Sequence, residues 1–438
     1  MASNKLAAED PRGLNLIFRA LSHRNYRLFF GGQSISLIGT WMQQIAVNWL
    51  TFRLTHSPFL LGVVGFTSRI PTFLFASFAG VLADRWNRHR ILVVTQILSM
   101  IQALILALLV LTETIAIWHL LVLSFCLGLI NALDIPTRQS FVVEMVENQG
   151  DLGNAIALNS SMVNGARLVG PSIAGILIAA VGEGICFLLN GLSFLAVIAS
   201  LLAMKLRPKK IEQQRTPVWL GLREGFAYAF GFPPIRSVLL LLALVSLMGM
   251  PYMVLMPVFA KQILHGGPQT LGFLMAATGC GALAGAIFLA SRKSVLGLGK
   301  MIVIASALFG VGLIIFSMSR VLWLSLCLMM VSGFGMMVQM TSSNTILQTI
   351  VEEDKRGRVM SLYTMAFMGM VPFGNLFGGS LASAIGAPET IMIGGVSCIV
   401  GSILFAAKLP SLRTMTRPIY IKKGIILEER KDLQKGGT

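Results

Sequence analysis

The chain has 438 residues, of which 55% are hydrophobic and only 12% charged, with a formal net charge of +17 and a mean hydropathy of +0.77. Such a balance excludes an ordinary water-soluble globule and requires an integral membrane protein.

Twelve apolar stretches are long enough to cross a bilayer as helices: about 27–52, 59–83, 91–111, 117–138, 156–181, 184–204, 237–260, 269–290, 301–318, 321–345, 359–385 and 390–407. An even count places both termini on one side. With the N-terminus inside, 30 of the 35 Lys and Arg fall in loops and tails of the cytoplasmic face, which fixes the orientation. The expected product is a multi-pass protein of the cell inner membrane with both ends cytoplasmic. Topology and attraction to anionic lipid headgroups account for the positive charge, so the bilayer is an expected partner and nucleic acid is not. The expected organisation is a leader (1–26), a first six-helix bundle (27–204), a cytoplasmic linker (205–236), a second six-helix bundle (237–408) and a cytoplasmic tail (409–438).

In chain order, the leader is polar and basic and lacks the short apolar core of a cleavable signal. Span one carries Ser36, Thr40, Gln44 and Asn48 at intervals of four, with Gln43 beside them. A polar stripe in a lipid-buried helix must face protein or water, so Thr40, Gln43, Gln44 and Asn48 are candidates for a substrate cavity. Arg69 lies near the middle of span two with no acid at its depth. It is expected either to face a watery cavity, in contact with an anionic or carbonyl-rich substrate, or to bond amides of a neighbouring helix. Between spans two and three runs Gly80-Val81-Leu82-Ala83-Asp84-Arg85-Trp86-Asn87-Arg88-His89-Arg90. Here a glycine lets helices meet at the membrane edge, and Asp84 can accept from a helix N-terminus and pair with Arg88.

Span four holds Asp134, the one acid of 18 that falls within a span. Arg138, four residues on, is its natural partner, and Arg167 in span five is a second. Two readings are open for Asp134: a protonatable switch whose pairing changes between transport states, or a permanent salt bridge. Gly170-Pro171, near Gly175, removes a backbone hydrogen bond in mid-span and permits tight packing, as a bending helix or a static kink requires. In the linker, Trp219 to Phe230 reads as a short amphipathic helix on the inner membrane surface. In the second half, Gln339 and Asn375 are further cavity candidates. Methionines cluster in spans seven (Met248, Met250, Met253, Met256) and ten (Met329, Met330, Met336, Met337, Met340), as adaptable packing or as a pliable wall. From Leu409 onward the tail is basic, mixed in polarity and expected to be partly ordered at most.

Between Thr137 and Gly386 the chain repeats at an offset of 204, matching Gly153 with Gly357, Leu158 with Leu362, Gly165 with Gly369, Gly170 with Gly374, Gly175 with Gly379 and Gly182 with Gly386. Recurrent glycines mean recurrent close helix approaches, as in duplicated transporter bundles. The five cysteines lie in or at the ends of spans without metal-ligand spacing, so no metal is expected. Gly297-Leu298-Gly299-Lys300-Met301 lacks the first glycine and terminal hydroxyl of a phosphate loop, which leaves an ion gradient as the energy source and no cofactor.

The loop from Gly80 to Arg90 resembles the cytoplasmic signature of the major facilitator superfamily, with Asn87 in place of the usual second glycine; the corresponding Ser291 to Lys300 loop has no aspartate. The stretches Asn131 to Phe141, Asn154 to Asn159 and Asn164 to Pro171 resemble its transmembrane secretion effector branch, which includes enterobactin-type siderophore exporters and macrolide or multidrug efflux proteins. The likeness runs from Phe18 to Leu409. It implies an all-α fold of twelve transmembrane helices in two pseudo-symmetric six-helix bundles. It also implies a gate built from Gly80, Asp84, Arg85 and Arg88, together with the antiporter-like fifth-span motif at Gly170, Pro171 and Gly175.

The expected function is that of a non-enzymatic, monomeric secondary exporter. It would move a siderophore or amphiphilic drug outward by alternating access as protons enter, with Asp134, Arg138 and Arg167 as coupling candidates. A proton-coupled importer, a lipid flippase and a non-transporting membrane protein are the alternatives.

Overall fold

A computed structural model describes residues 18–146, 148–205, 218–292 and 294–426; the side chains of 76–85, of Gln149 and of 218–223 lie outside the description. After a short 3-10 turn (Arg19–Ser22), the first half consists of α1 (Arg24–Thr55), α2 (Pro58–Arg85), α3 (Arg88–Leu111), α4 (Ile117–Met145), α5 (Leu152–Val181) and α6 (Glu183–Leu202). A linker helix, α7 (Val218–Gly231), leads to α8 (Pro233–Ile263), α9 (Pro268–Ala290), α10 (Leu298–Met318), α11 (Leu322–Ile350), α12 (Arg356–Ile385) and α13 (Ala387–Lys422). No strand occurs among the described residues.

Eleven of these helices are long and apolar enough to cross a membrane. The twelfth, α1, is 32 residues long, and its polar stripe lowers its hydropathy. Each predicted span lies on one helix. The helices overrun the apolar stretches because capping and polar residues continue the backbone hydrogen bonding past the lipid-compatible part. The linker helix stands where the sequence places one.

The described part of the tail, residues 409–426, is mostly helical. Helix α13 runs on without a break through Pro410 and Pro418 to Lys422. Leu412 and Thr416 are buried, and Lys423 Nζ donates to the Thr349 carbonyl at the end of α11 (2.7 Å), so tertiary contact orders a segment of mixed polarity.

Two compact units emerge from the packing. The first comprises α1 to Leu50 and the chain from Leu74 through α6. Its core joins Tyr26, Phe29, Leu92, Phe141, Met145, Ala155, Leu158 and Val197, and the buried Tyr26 hydroxyl donates to the Ala155 carbonyl at 2.7 Å. The second unit holds α7 to α13 and also Thr51–Phe73, the end of α1 and the first part of α2, which the sequence division assigns to the first half. The cause is a seam without side chains. A Cβ on Gly62 would lie 2.5 Å from the Asn375 carbonyl oxygen, and one on Gly379 would lie 2.7 Å from the Gly62 Cα, so α2 and α12 approach backbone to backbone.

The 204-residue repeat is visible in this packing. In the first unit a Cβ on Gly170 would lie 2.6 Å from the Trp41 Cβ of α1; in the second, one on Gly374 would lie 2.7 Å from the Leu247 carbonyl oxygen of α8. Each half therefore presses its fifth span onto its first through the same glycine. Gly182 and Gly386, another matched pair, both join consecutive spans at positive φ (82° and 103°).

Helices α8 and α12 are irregular. Helix α8 contains π-helical turns at Val245–Gly249 and Phe259–Ile263, while α12 breaks between Phe367 and Val371. The two irregular levels meet where Ser246 Oγ donates to the Phe367 carbonyl.

Candidate functional site

Asp134 is 4% exposed, on the inward face of α4. Its Oδ1 accepts from Thr95 Oγ1 (2.9 Å) and Gln96 Nε2 (2.8 Å), both on α3. Its Oδ2 faces Arg138 Nε one turn along α4 at 3.4 Å. A carboxylate in the low-dielectric interior needs this density of donors. Arg167, the other suggested partner, lies with its Cζ 5.2 Å from the centroid of the Trp41 ring on α1, a cation–π arrangement. Among the described residues, Gln96 Oε1 is buried with no hydrogen-bond partner.

The polar stripe of α1 divides. Thr40 is exposed, with Oγ1 bonded to the Ser36 carbonyl, and Gln44 and Asn48 are half-buried. Gln43 is 3% exposed and turned into the bundle. Its Nε2 donates to Gln102 Oε1 of α3 (2.9 Å), and its Oε1 accepts from Asn190 Nδ2 of α6 (2.6 Å). Gln102 Nε2 passes the chain on to the Leu123 carbonyl of α4 at 3.3 Å, so one amide relay ties four helices.

In the second unit, Gln339 is 1% exposed within α11. Asn375 is buried against α2, where a Cβ on Gly65 would lie 2.8 Å from its Nδ2. Arg69, on the same face of α2, is exposed. Phe66 and Phe73 flank it by one turn on either side, and both stand edge-on to Phe373 of α12, with centroids at 6.1 and 5.5 Å.

At the basic loops, Arg88 Nη1 donates to Glu144 Oε1 at the end of α4 (2.6 Å). The side chains of Gly80, Asp84 and Arg85 lie outside the described residues. Gly170, Pro171 and Gly175 are all buried in α5. The segment leading into each half grips the loop that precedes its fifth span. In the first unit Arg19 Nε and His23 Nε2 both engage Asp151, and the Ala20 amide donates to Asn154 Oδ1 (2.9 Å). His23 and Arg19 together hold the Asp151 carboxyl below the usual carboxylate range. In the second, Arg358 Nη1 donates to Glu224 Oε2 of α7 (2.5 Å), and Lys355 Nζ sits 4.6 Å over the Tyr228 ring. Ala20 and Asn154 become Glu224 and Arg358 at the offset of 204, so the duplication reaches back to the leader.

The sequence reading missed Thr95, Gln96, Gln102, Asn190, Glu144 and the three phenylalanines. The amides and Thr95 carried a usable signal, being polar groups in apolar spans that must find partners on neighbouring helices. Glu144 and the phenylalanines carried none, since acids at span ends and aromatic residues within spans are commonplace. No group of three or more His, Cys, Asp or Glu that could hold a metal ion occurs among the described residues.

Helices in two related halves, with buried polar groups inside the spans, are the architecture of a membrane transporter of the major facilitator type, and the family match assigns the chain to that class. Residues 17–420 match the family described as transmembrane secretion effector, and the chain belongs to it. Similar proteins include the staphyloferrin A transporter of Staphylococcus aureus, 24% identical over 380 residues (86% of this chain, 95% of the relative). Another is the multidrug efflux pump Tap of Mycolicibacterium fortuitum, 23% identical over 379 residues (85% and 92%). Among solved structures, a bacterial homologue of the iron transporter ferroportin superposes with a TM-score of 0.67 at 17% identity (88% and 98% covered). A bacterial homologue of the lysosomal transporter Spinster gives 0.64 at 15% (94% and 99%).

Proposed function

We propose that the protein is a proton-coupled exporter of small molecules such as siderophores or amphiphilic drugs. It works as a monomer in the cell inner membrane with both termini cytoplasmic, and its two halves give alternating access. The observation that carries this reading is the cage around Asp134. Charge within a bilayer costs at least about 2.5 kcal/mol, and the cage keeps an ionisable group there with a cation beside it. When ionised, Asp134 is stabilised by Thr95, Gln96 and Arg138. On protonation the attraction to Arg138 falls away, and the unmet Gln96 Oε1 supplies an acceptor for the new O–H. Two protonation states thus favour two side-chain arrangements, the bistable element that coupling requires. Substrate leaves as protons enter.

Purified protein in proteoliposomes with a trapped pH-sensitive dye tests the proposal. A panel of amphiphiles including ethidium, rhodamine 6G and 2-naphthoate is expected to contain at least one compound whose addition drives proton flux, and Asp134→Asn abolishes that flux. Undiminished coupling in the Asn variant would overturn the role given to Asp134.

A further inference from the structure

Arg69 lies eleven residues into α2, about 16 Å along the helix, which puts it near the bilayer midplane. Gly62, Phe66, Arg69 and Phe73 follow at intervals of four, three and four, so a single stripe of α2 carries all of them. The stripe faces α12: Gly62 lies on Gly379, and Phe66 and Phe73 meet Phe373. A Cβ on Gly369 would lie 2.7 Å from the Phe73 ring, so only the missing side chain lets that ring rest on the break in α12. Between these contacts Arg69 is exposed and Phe373 is 38% exposed, so both stand at a surface of the α2–α12 seam.

The second segment of α12, Val371–Ile385, starts at this level. Its first intrahelical donor is the Gly374 amide, bonded to the Met370 carbonyl. The helix N-terminus therefore brings its positive dipole end to the membrane interior beside a guanidinium. Both features favour an anion, and the three rings favour a flat apolar body next to it.

We infer that Arg69, the start of the Val371–Ile385 segment, and Phe66, Phe73 and Phe373 form a recognition site for amphiphiles that carry an anionic group, such as a carboxylate, on a flat apolar body. The inference rests on the exporter reading and names the substrate class for it. Guanidinium and dipole together oppose a cationic amphiphile.

Equilibrium binding to the full chain in nanodiscs tests this, with radiolabelled 2-naphthoate competed by 2-naphthamide and 2-naphthylmethylammonium, three probes of one shape and different charge. The carboxylate is expected to bind at least tenfold more tightly than either competitor. Arg69→Gln erases that preference, whereas Phe73→Ala weakens all three probes by a similar factor. Arg69→Lys, which keeps the charge but loses the bidentate fork, reduces the preference at least threefold and decides the matter alone if the Gln variant is not monodisperse. Equal affinities for the three probes in the wild type, or a preference untouched by both Arg69 variants, overturn the inference. Because binding is read without a gradient, charge-selective binding without coupled flux would refute only the exporter reading. Coupled flux without charge selectivity would refute only this one.

Discussion

Gln43 shows how a polar side chain inside a span can serve packing rather than transport. Its amide is donor to Gln102 and acceptor from Asn190, so losing one partner leaves a buried group unmet. The penalty for such a group is about 1–3 kcal/mol, while replacing both partners with apolar groups of similar shape comes close to neutral. Asn190→Leu alone is therefore expected to lower the melting temperature in detergent by several degrees. The triple variant Gln43→Leu/Gln102→Leu/Asn190→Leu, which leaves no amide of the relay behind, regains most of it, and additive losses in a thermal-shift series would show that the relay does not couple the three residues. Arg69 differs in being exposed, between Phe66 and Phe73 on one stripe of α2. From the sequence both residues read as cavity candidates, because period alone tells which residues share a face and not which helix that face meets.

Close helix approach is the element-scale theme. Gly170 and Gly374 occupy equivalent places, each with a neighbouring helix too near for a Cβ. Gly170→Ala and Gly374→Ala are each expected to destabilise by about 1–3 kcal/mol, the usual effect of overpacking. At Gly165 an added Cβ meets nothing within 4 Å, so Gly165→Ala should stay within about 0.5 kcal/mol of wild type. Thermal unfolding of the three variants checks the order, and equal effects would remove the packing argument. The matched glycines were legible in the sequence as a repeat, and each of the twelve predicted spans falls on a helix, eleven of them long and apolar enough to cross a bilayer. The π-helical turns of α8, the break in α12 and the extension of α13 were not legible. Backbone irregularity of this kind is decided by what packs alongside, as Ser246 on the Phe367 carbonyl and Lys423 on the Thr349 carbonyl show, and such partners lie 74 or more residues away in sequence. Asp134 and Arg138 were legible because four residues separate them on one helix; Thr95 and Gln96 reach them from another.

Across the whole molecule, the two grips on the loops before the fifth spans share a register and differ in sign. Asp151, held low by His23 and Arg19, contributes above the ordinary carboxylate range and loses its contribution only as pH falls through its lowered value. Lys355 is held high, chiefly by its bond from Nζ to Glu352, so its share is complete below the ordinary lysine range and is lost only in stronger alkali. Both grips therefore persist from mildly acidic to mildly alkaline pH. Amide protection factors around Arg19–Ser22, taken relative to the intrinsic exchange rate at each pH, are expected to match at pH 5 and pH 7.5 in the wild type and to fall at both in Asp151→Asn; a lower factor at pH 5 in the wild type would contradict the assigned direction. The opposite polarity has a further result for partner choice. The first clasp offers cations to an acid, the second an acid to cations, so these two contacts cannot exchange partners without setting like charges against each other: Arg19 would meet Arg358, and Glu224 would meet Asp151.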